Sequence, residues 1–142
     1  MSVAPCDRLR EFQIEIHLAF FAGDADVEAL RASLPPEVNA IKNRGRRSKS
    51  LDLPRTSLVV FRSRSNAWDA SLGEHWDYLD NITRDYCPQL IDLAKLCERV
   101  SFMVVVDLCE GPPVLILPEA AVQFCASLGA LIEVDVMDDR GL

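Results

Sequence analysis

No apolar run in this chain approaches the roughly 20 residues that a membrane-spanning helix needs, so a place in a bilayer is not expected. The longest candidate, Ile14–Ala22, is interrupted by Glu15 and His17. Asp7, Arg8, Arg10 and Glu11 precede it, which does not fit the pattern of a secretory leader. Histidine is scarce too: His17 and His75 are the two in the chain, and neither stands in a short metal-binding motif such as HExxH. Glycine numbers six. The one glycine among the basic residues, in Arg44-Gly45-Arg46-Arg47-Ser48, lacks the strand-to-helix setting of a phosphate loop or a dinucleotide fingerprint. Between Lys42 and Arg55 there is no aromatic residue on which a base could stack. Cys6, Cys87, Cys97, Cys109 and Cys125 are odd in number and widely spaced. They read as reduced thiols packed as small apolar residues, which suits a cytoplasmic protein.

What remains is an ordinary globular composition. Hydrophobic residues make up 49% and charged residues 26% of 142, and a chain of this length buries about 68% of its unfolded surface in one domain. The charge is unevenly spread. Lys42, Arg44, Arg46, Arg47, Lys49, Arg55, Arg62 and Arg64 face a single acid, Asp52, across one short stretch, although the whole chain carries −7. That leaves −14 elsewhere, a basic strip on an acidic body, and such segregation marks a partner surface. The acidic body repels phosphate, which weighs against nucleic acid.

Residues Glu11–Ala22 alternate, with Phe12, Ile14, Ile16, Leu18 and Phe20 on one side and Gln13, Glu15, His17 and Ala19 on the other. This predicts a half-buried strand. Gly23-Asp24 breaks it, and Asp24 or Asp26 can cap a short helix with Val27, Leu30 and Leu34 inward, ended by Pro35-Pro36. A basic loop over about 37–55 follows, with room for a short strand near Val38–Ile41; Thr56–Arg62 then reads as a strand. The spacing of Trp76, Leu79, Thr83, Tyr86, Leu90, Leu93 and Cys97 predicts a kinked helix, or two sharing one stripe, broken near Pro88. Glu74, His75, Asp77 and Asp80 fall to its outer, charged face. Val100–Cys109 is the most apolar strand, expected near the centre; Val114–Leu117 is a short strand, and a helix opening at Pro118 stops at a left-handed Gly129. Leu131–Met137 alternates once more, Ile132, Val134 and Val136 against Glu133 and Asp135. The expected architecture is a single α+β domain over 1–142, a mixed but mostly antiparallel sheet with helices packed on one face.

Trp76 and Leu79 at the head of a long helix, Leu117-Pro-Glu through Leu128-Gly-Ala, and Ile132-Glu-Val-Asp-Val136 together resemble a bacterial family known as domain of unknown function 4279. The front strand, short helix and Pro35-Pro36 follow in the same order. The chain departs from that pattern in ending its last strand on Met137 and in the richness of arginine in its loop. The resemblance implies an α+β domain with no catalytic residues to carry over, and a kinship with small bacterial proteins of which some act as immunity proteins against toxins.

Two functional classes follow. The first is a non-enzymatic protein-binding module of immunity or antitoxin type, with no cofactor. It would meet its partner, such as a toxin domain, through Arg44, Arg46, Arg47, Lys49 and Trp68 or through Glu133, Asp135, Asp138 and Asp139. The two sets predict partners of opposite charge. The second is a small metal-dependent or small-molecule enzyme that uses the polar sheet face. Glu15, His17, Glu133 and Asp135 would gather there if their strands were neighbours, a donor set suited to manganese or iron. A cysteine–histidine nucleophile has no local signature. A homodimer through an exposed strand edge is compatible with the alternation, although no residue pattern requires it.

Overall fold

The computed structural model describes residues 12–45, 55–63, 71–108 and 115–138. Strand β1 spans Phe12–Phe21, β2 Ala40–Lys42, β3 Leu58–Arg62, β4 Arg99–Leu108 and β5 Leu131–Asp138. Helices α1 (Leu72–Thr83), α2 (Cys87–Leu96) and α3 (Glu119–Leu128) complete the α+β fold. The five strands form one sheet in the order β2-β3-β1-β4-β5, antiparallel except for the parallel pair β4–β5. The crossover between those two strands carries α3, as a parallel connection requires. Among the described residues no helix is long and apolar enough to cross a membrane.

The alternation of β1 decides where the core lies. Ile14, Ile16, Leu18 and Phe20 are buried together with Val59 and Phe61 of β3 and Val100, Phe102, Val104 and Val106 of β4. Phe20 and Phe61 meet edge to face, centroids 6.2 Å apart. Where the β1–β3 ladder runs out, the buried Ser63 hydroxyl accepts from Ile16 N–H at 2.7 Å, and Ser63 N–H donates to Ile16 C=O at 2.8 Å. The strand nearest the middle of the sheet is β1, with β4 beside it. The most apolar strand is thus interior but off centre.

Helix α1 begins at a capping box. Ser71 Oγ accepts from Glu74 N–H, and Glu74 returns the bond to Ser71 N–H at 2.6 Å. The predicted break falls where proline chemistry puts it. Pro88 has no N–H for the carbonyl of Arg84, and residues Arg84–Tyr86 tighten into a 3-10 turn between the two helices. Trp76, Leu79, Thr83, Leu90 and Leu93 are buried along the shared stripe. The Trp76 ring lies 6.3 Å from Phe102 of the sheet and 5.3 Å from Phe124 of α3. One indole therefore ties sheet, α1 and α3 together.

Four expectations need correction. The segment after Gly23 is a six-residue 3-10 helix, Glu28–Ser33, whose N-cap residue Val27 makes no side-chain cap. Asp26 Oδ1 does accept from the first-turn Ala29 N–H at 3.3 Å, as well as from Asn43 at 2.9 Å, while Asp24 is taken by Arg44. Residues 115–117 form no strand. His75 is buried, not part of the charged outer face. It stands three residues after Leu72 and four before Leu79, so the inward stripe is wider than the large apolar residues alone suggested. Finally, the apolar side of β5 is not covered. Ile132, Val134 and Val136 are 44%, 55% and 52% exposed. Helix α3 packs toward α2 and Trp76 and leaves the last strand at the margin. Gly129 does take the left-handed cap, φ 63°.

Candidate functional site

The polar side of the sheet is built by the odd-numbered residues of β1, β4 and β5, and cross-strand register fixes which of them meet. His17 stands opposite Arg62 on β3 and Met103 on β4, and Met103 stands opposite Glu133. One step along, Glu15 is opposite Val105, and Val105 opposite Asp135. Glu15 and His17 thus share a face with Glu133 and Asp135, but β4 lies between. The two pairs are separated by two strand spacings, roughly 9.5 Å, with the apolar Met103 and Val105 in the gap. The strand adjacency that would have gathered four metal ligands is absent. No group of three histidine, cysteine or acidic residues able to hold a metal occurs among the described residues.

Glu15 has a different set of partners. Its Oε2 lies 2.8 Å from His17 Nε2 and 3.1 Å from Arg62 Nη2. An ionised carboxylate only accepts, so the imidazole donates through Nε2–H and the guanidinium reaches diagonally from β3. Burial raises the carboxyl's pKa, but the hydrogen bonds from His17 and Arg62 and their charges outweigh it and hold Glu15 below its ordinary value. A group depressed in this way stabilises the fold above the ordinary carboxylate range and loses that contribution as pH falls through its lowered folded value. Glu15→Gln is therefore expected to cost on the order of 1 kcal/mol at neutral pH. It should also shrink the difference from the parent as the solution is acidified. Denaturant unfolding at a series of pH values reads both; a cost independent of pH would contradict the assignment.

The basic strip is not a free row of cations. Arg44 is paired with Asp24, and its backbone N–H donates to Ser57 Oγ at 2.9 Å, so it closes the loop onto the turn after β1. Arg62 serves Glu15. Lys42 and Arg55 are exposed and make no ion pair among the described residues. Arg46, Arg47, Lys49, Trp68 and Asp139 lie outside the described residues, as does the side chain of Asp138. Glu133 is half-buried and Asp135 exposed on β5, and neither makes an ion pair among the described residues. Among the described residues, then, Glu133 and Asp135 on the sheet margin and Lys42 and Arg55 of the strip make no ion pair, whereas Arg44 and Arg62 are neutralised.

No family model matches the chain, and no curated protein or solved structure matches it either. The residues and their geometry therefore carry the functional reading. The described thiols are poorly prepared for nucleophilic work: burial pushes Cys97 and Cys125 up to about 11, and burial with the nearby Asp80 and Asp85 raises Cys87. A cleft of about 450 Å³ opens between the 3-10 segment and Tyr86, lined by Arg31, Leu34, Pro35, Pro36 and Val38 among others. Among the described residues its lining includes neither Glu15 nor His17 and no carboxylate or histidine. Cys6 and Cys109 lie outside the described residues.

The sequence reading missed two participants. Arg62 counts in the sequence as one more charge of the strip at the end of a strand, and only the pairing of β3 with β1 brings it to Glu15. The S-x-x-E pattern at Ser71 was a legible helix start.

Proposed function

We propose that this chain is a non-enzymatic protein-binding module of bacterial immunity or antitoxin type, which neutralises a basic partner through its acidic surface. The observation that carries this reading is the state of the charges. Glu133 and Asp135 stand on the last strand without an opposite charge among the described residues, whereas Arg44 and Arg62 are engaged by Asp24 and Glu15. Unneutralised charge at the surface of a −7 protein steers an oppositely charged partner and raises its association rate. Glu133 and Asp135 also stand on a strand of the sheet within a chain of net charge −7, and this supports the acidic body as the contact surface. The resemblance to the family of unknown function 4279, within the wider run of small bacterial proteins, supports the immunity role by analogy.

Co-expression of the full chain with the product of the neighbouring gene tests the proposal. A toxic neighbour whose growth arrest is relieved by this chain, together with a stable complex on size exclusion, is the expected result. Unrelieved arrest and no complex would overturn it. Stoichiometric metal in protein purified without chelator, with an activity lost on chelation, would overturn it in favour of the enzyme reading.

A further inference from the structure

Among the described residues β5 pairs with β4 on one side and with no strand on the other. An edge strand presents unpaired N–H and C=O groups, and natural sheets shorten or charge their edges against unwanted pairing. The opposite edge follows that rule: β2 has three residues and ends on the exposed Lys42. The β5 edge is eight residues long. Its Ile132, Val134 and Val136 are about half exposed, although Phe102, Val104 and Val106, their direct neighbours on β4, are at most 2% exposed. The apolar row of the core thus runs off the end of the sheet uncovered. The other side of the same strand carries Glu133 and Asp135.

We infer that the free edge of β5 receives an extended strand of the partner protein in which apolar residues alternate with lysine or arginine. Such a strand completes the backbone ladder, as in other cases of strand addition. Its apolar side chains continue the row of Ile132, Val134 and Val136, and its basic side chains fall opposite Glu133 and Asp135. Charge complementarity selects this occupant over a second copy of the chain. Antiparallel pairing of two β5 strands about Val134 would set Glu133 against Asp135 of the other copy, twice, and like charges placed directly opposite are destabilising. The inference rests on the protein-binding reading and names the surface that serves it.

The test uses the full chain labelled with nitrogen-15 and two synthetic peptides long enough to span β5, one alternating valine with lysine and one alternating valine with glutamate. The valine–lysine peptide is expected to shift amide signals of 131–138 and to bind at least about tenfold more tightly than its acidic counterpart, a difference of about 1.4 kcal/mol. The double variant Glu133→Lys/Asp135→Lys should reverse that preference, a change that mere loss of packing would not produce. Val134→Lys, checked for an unaltered melting curve, should weaken the binding of the valine–lysine peptide. Signals of β5 that do not move, equal affinity for both peptides, or a preference untouched by charge reversal would overturn the inference. So would concentration-dependent dimerisation through β5, which would assign the edge to a second copy. A neighbouring gene product that binds the chain without competing with the peptide sinks this inference and leaves the functional proposal standing. Peptide binding as expected, with no complex formed by that product, does the reverse.

Discussion

Trp76→Ala is expected to lower the stability of the fold by about 3–5 kcal/mol, the range seen when a large buried aromatic is truncated. The indole is 4% exposed and bridges three elements, with Phe102 of β4 and Phe124 of α3 at 6.3 Å and 5.3 Å. Removing it opens a cavity under α1 and also deprives α3 of an aromatic contact to the rest of the core. Since α3 leads directly into β5, the loss should be felt most at the last strand. A fall in Tm of roughly 10–20 °C is expected for a domain of this size. Hydrogen exchange of β5 amides should accelerate before that of β1, whose neighbours on both sides remain in place. A stability loss below about 1 kcal/mol would mean that the core closes over the gap, and that Trp76 is not the tie described here.

Glu133→Lys/Asp135→Lys is expected to slow association with the partner by at least about tenfold at low salt, because two carboxylates that steer a basic surface become two cations that repel it. The effect should be mostly on the association rate at low salt. It should shrink as salt rises toward 1 M, where the screening length falls from about 10 Å to about 3 Å. Both side chains stand on the polar side of an edge strand, so folding stability should change by no more than about 0.5 kcal/mol. Stopped-flow association at several salt concentrations, with the thermal melt as control, measures both quantities. An association rate equal to that of the parent at every salt concentration would show that these charges steer nothing.

Much of the framework was legible in the sequence, because its signals are periodic. The alternation in β1, the helical stripe from Trp76 to Cys97, the break at Pro88 and the stop at Gly129 each follow from local chemistry, and the structure places each within a residue or two. What could not be read was lateral order. Period-2 alternation says that Glu133 and Asp135 share a side of β5. It does not say that β4 separates them from Glu15 and His17, and the proposed ligand cluster depended on that adjacency. The same limit applies to Ile132, Val134 and Val136. Alternation marks an apolar face, but whether a helix covers it depends on where α3 comes to rest, and that is set by the distant contact of Phe124 with Trp76. Pairing within the strip was hidden for a related reason, since Arg44 with Asp24 and Arg62 with Glu15 are contacts across 20 and 47 residues of sequence.

The central claim, that the acidic edge formed by β5 is the surface that meets the partner, is tested most directly by hydrogen exchange on the complex with the neighbouring gene product. Exchange should slow at the amides of 131–138 and stay unchanged over 37–55. Protection confined to 37–55, with β5 exchanging as it does in the free chain, would contradict the claim and assign the contact to the basic loop.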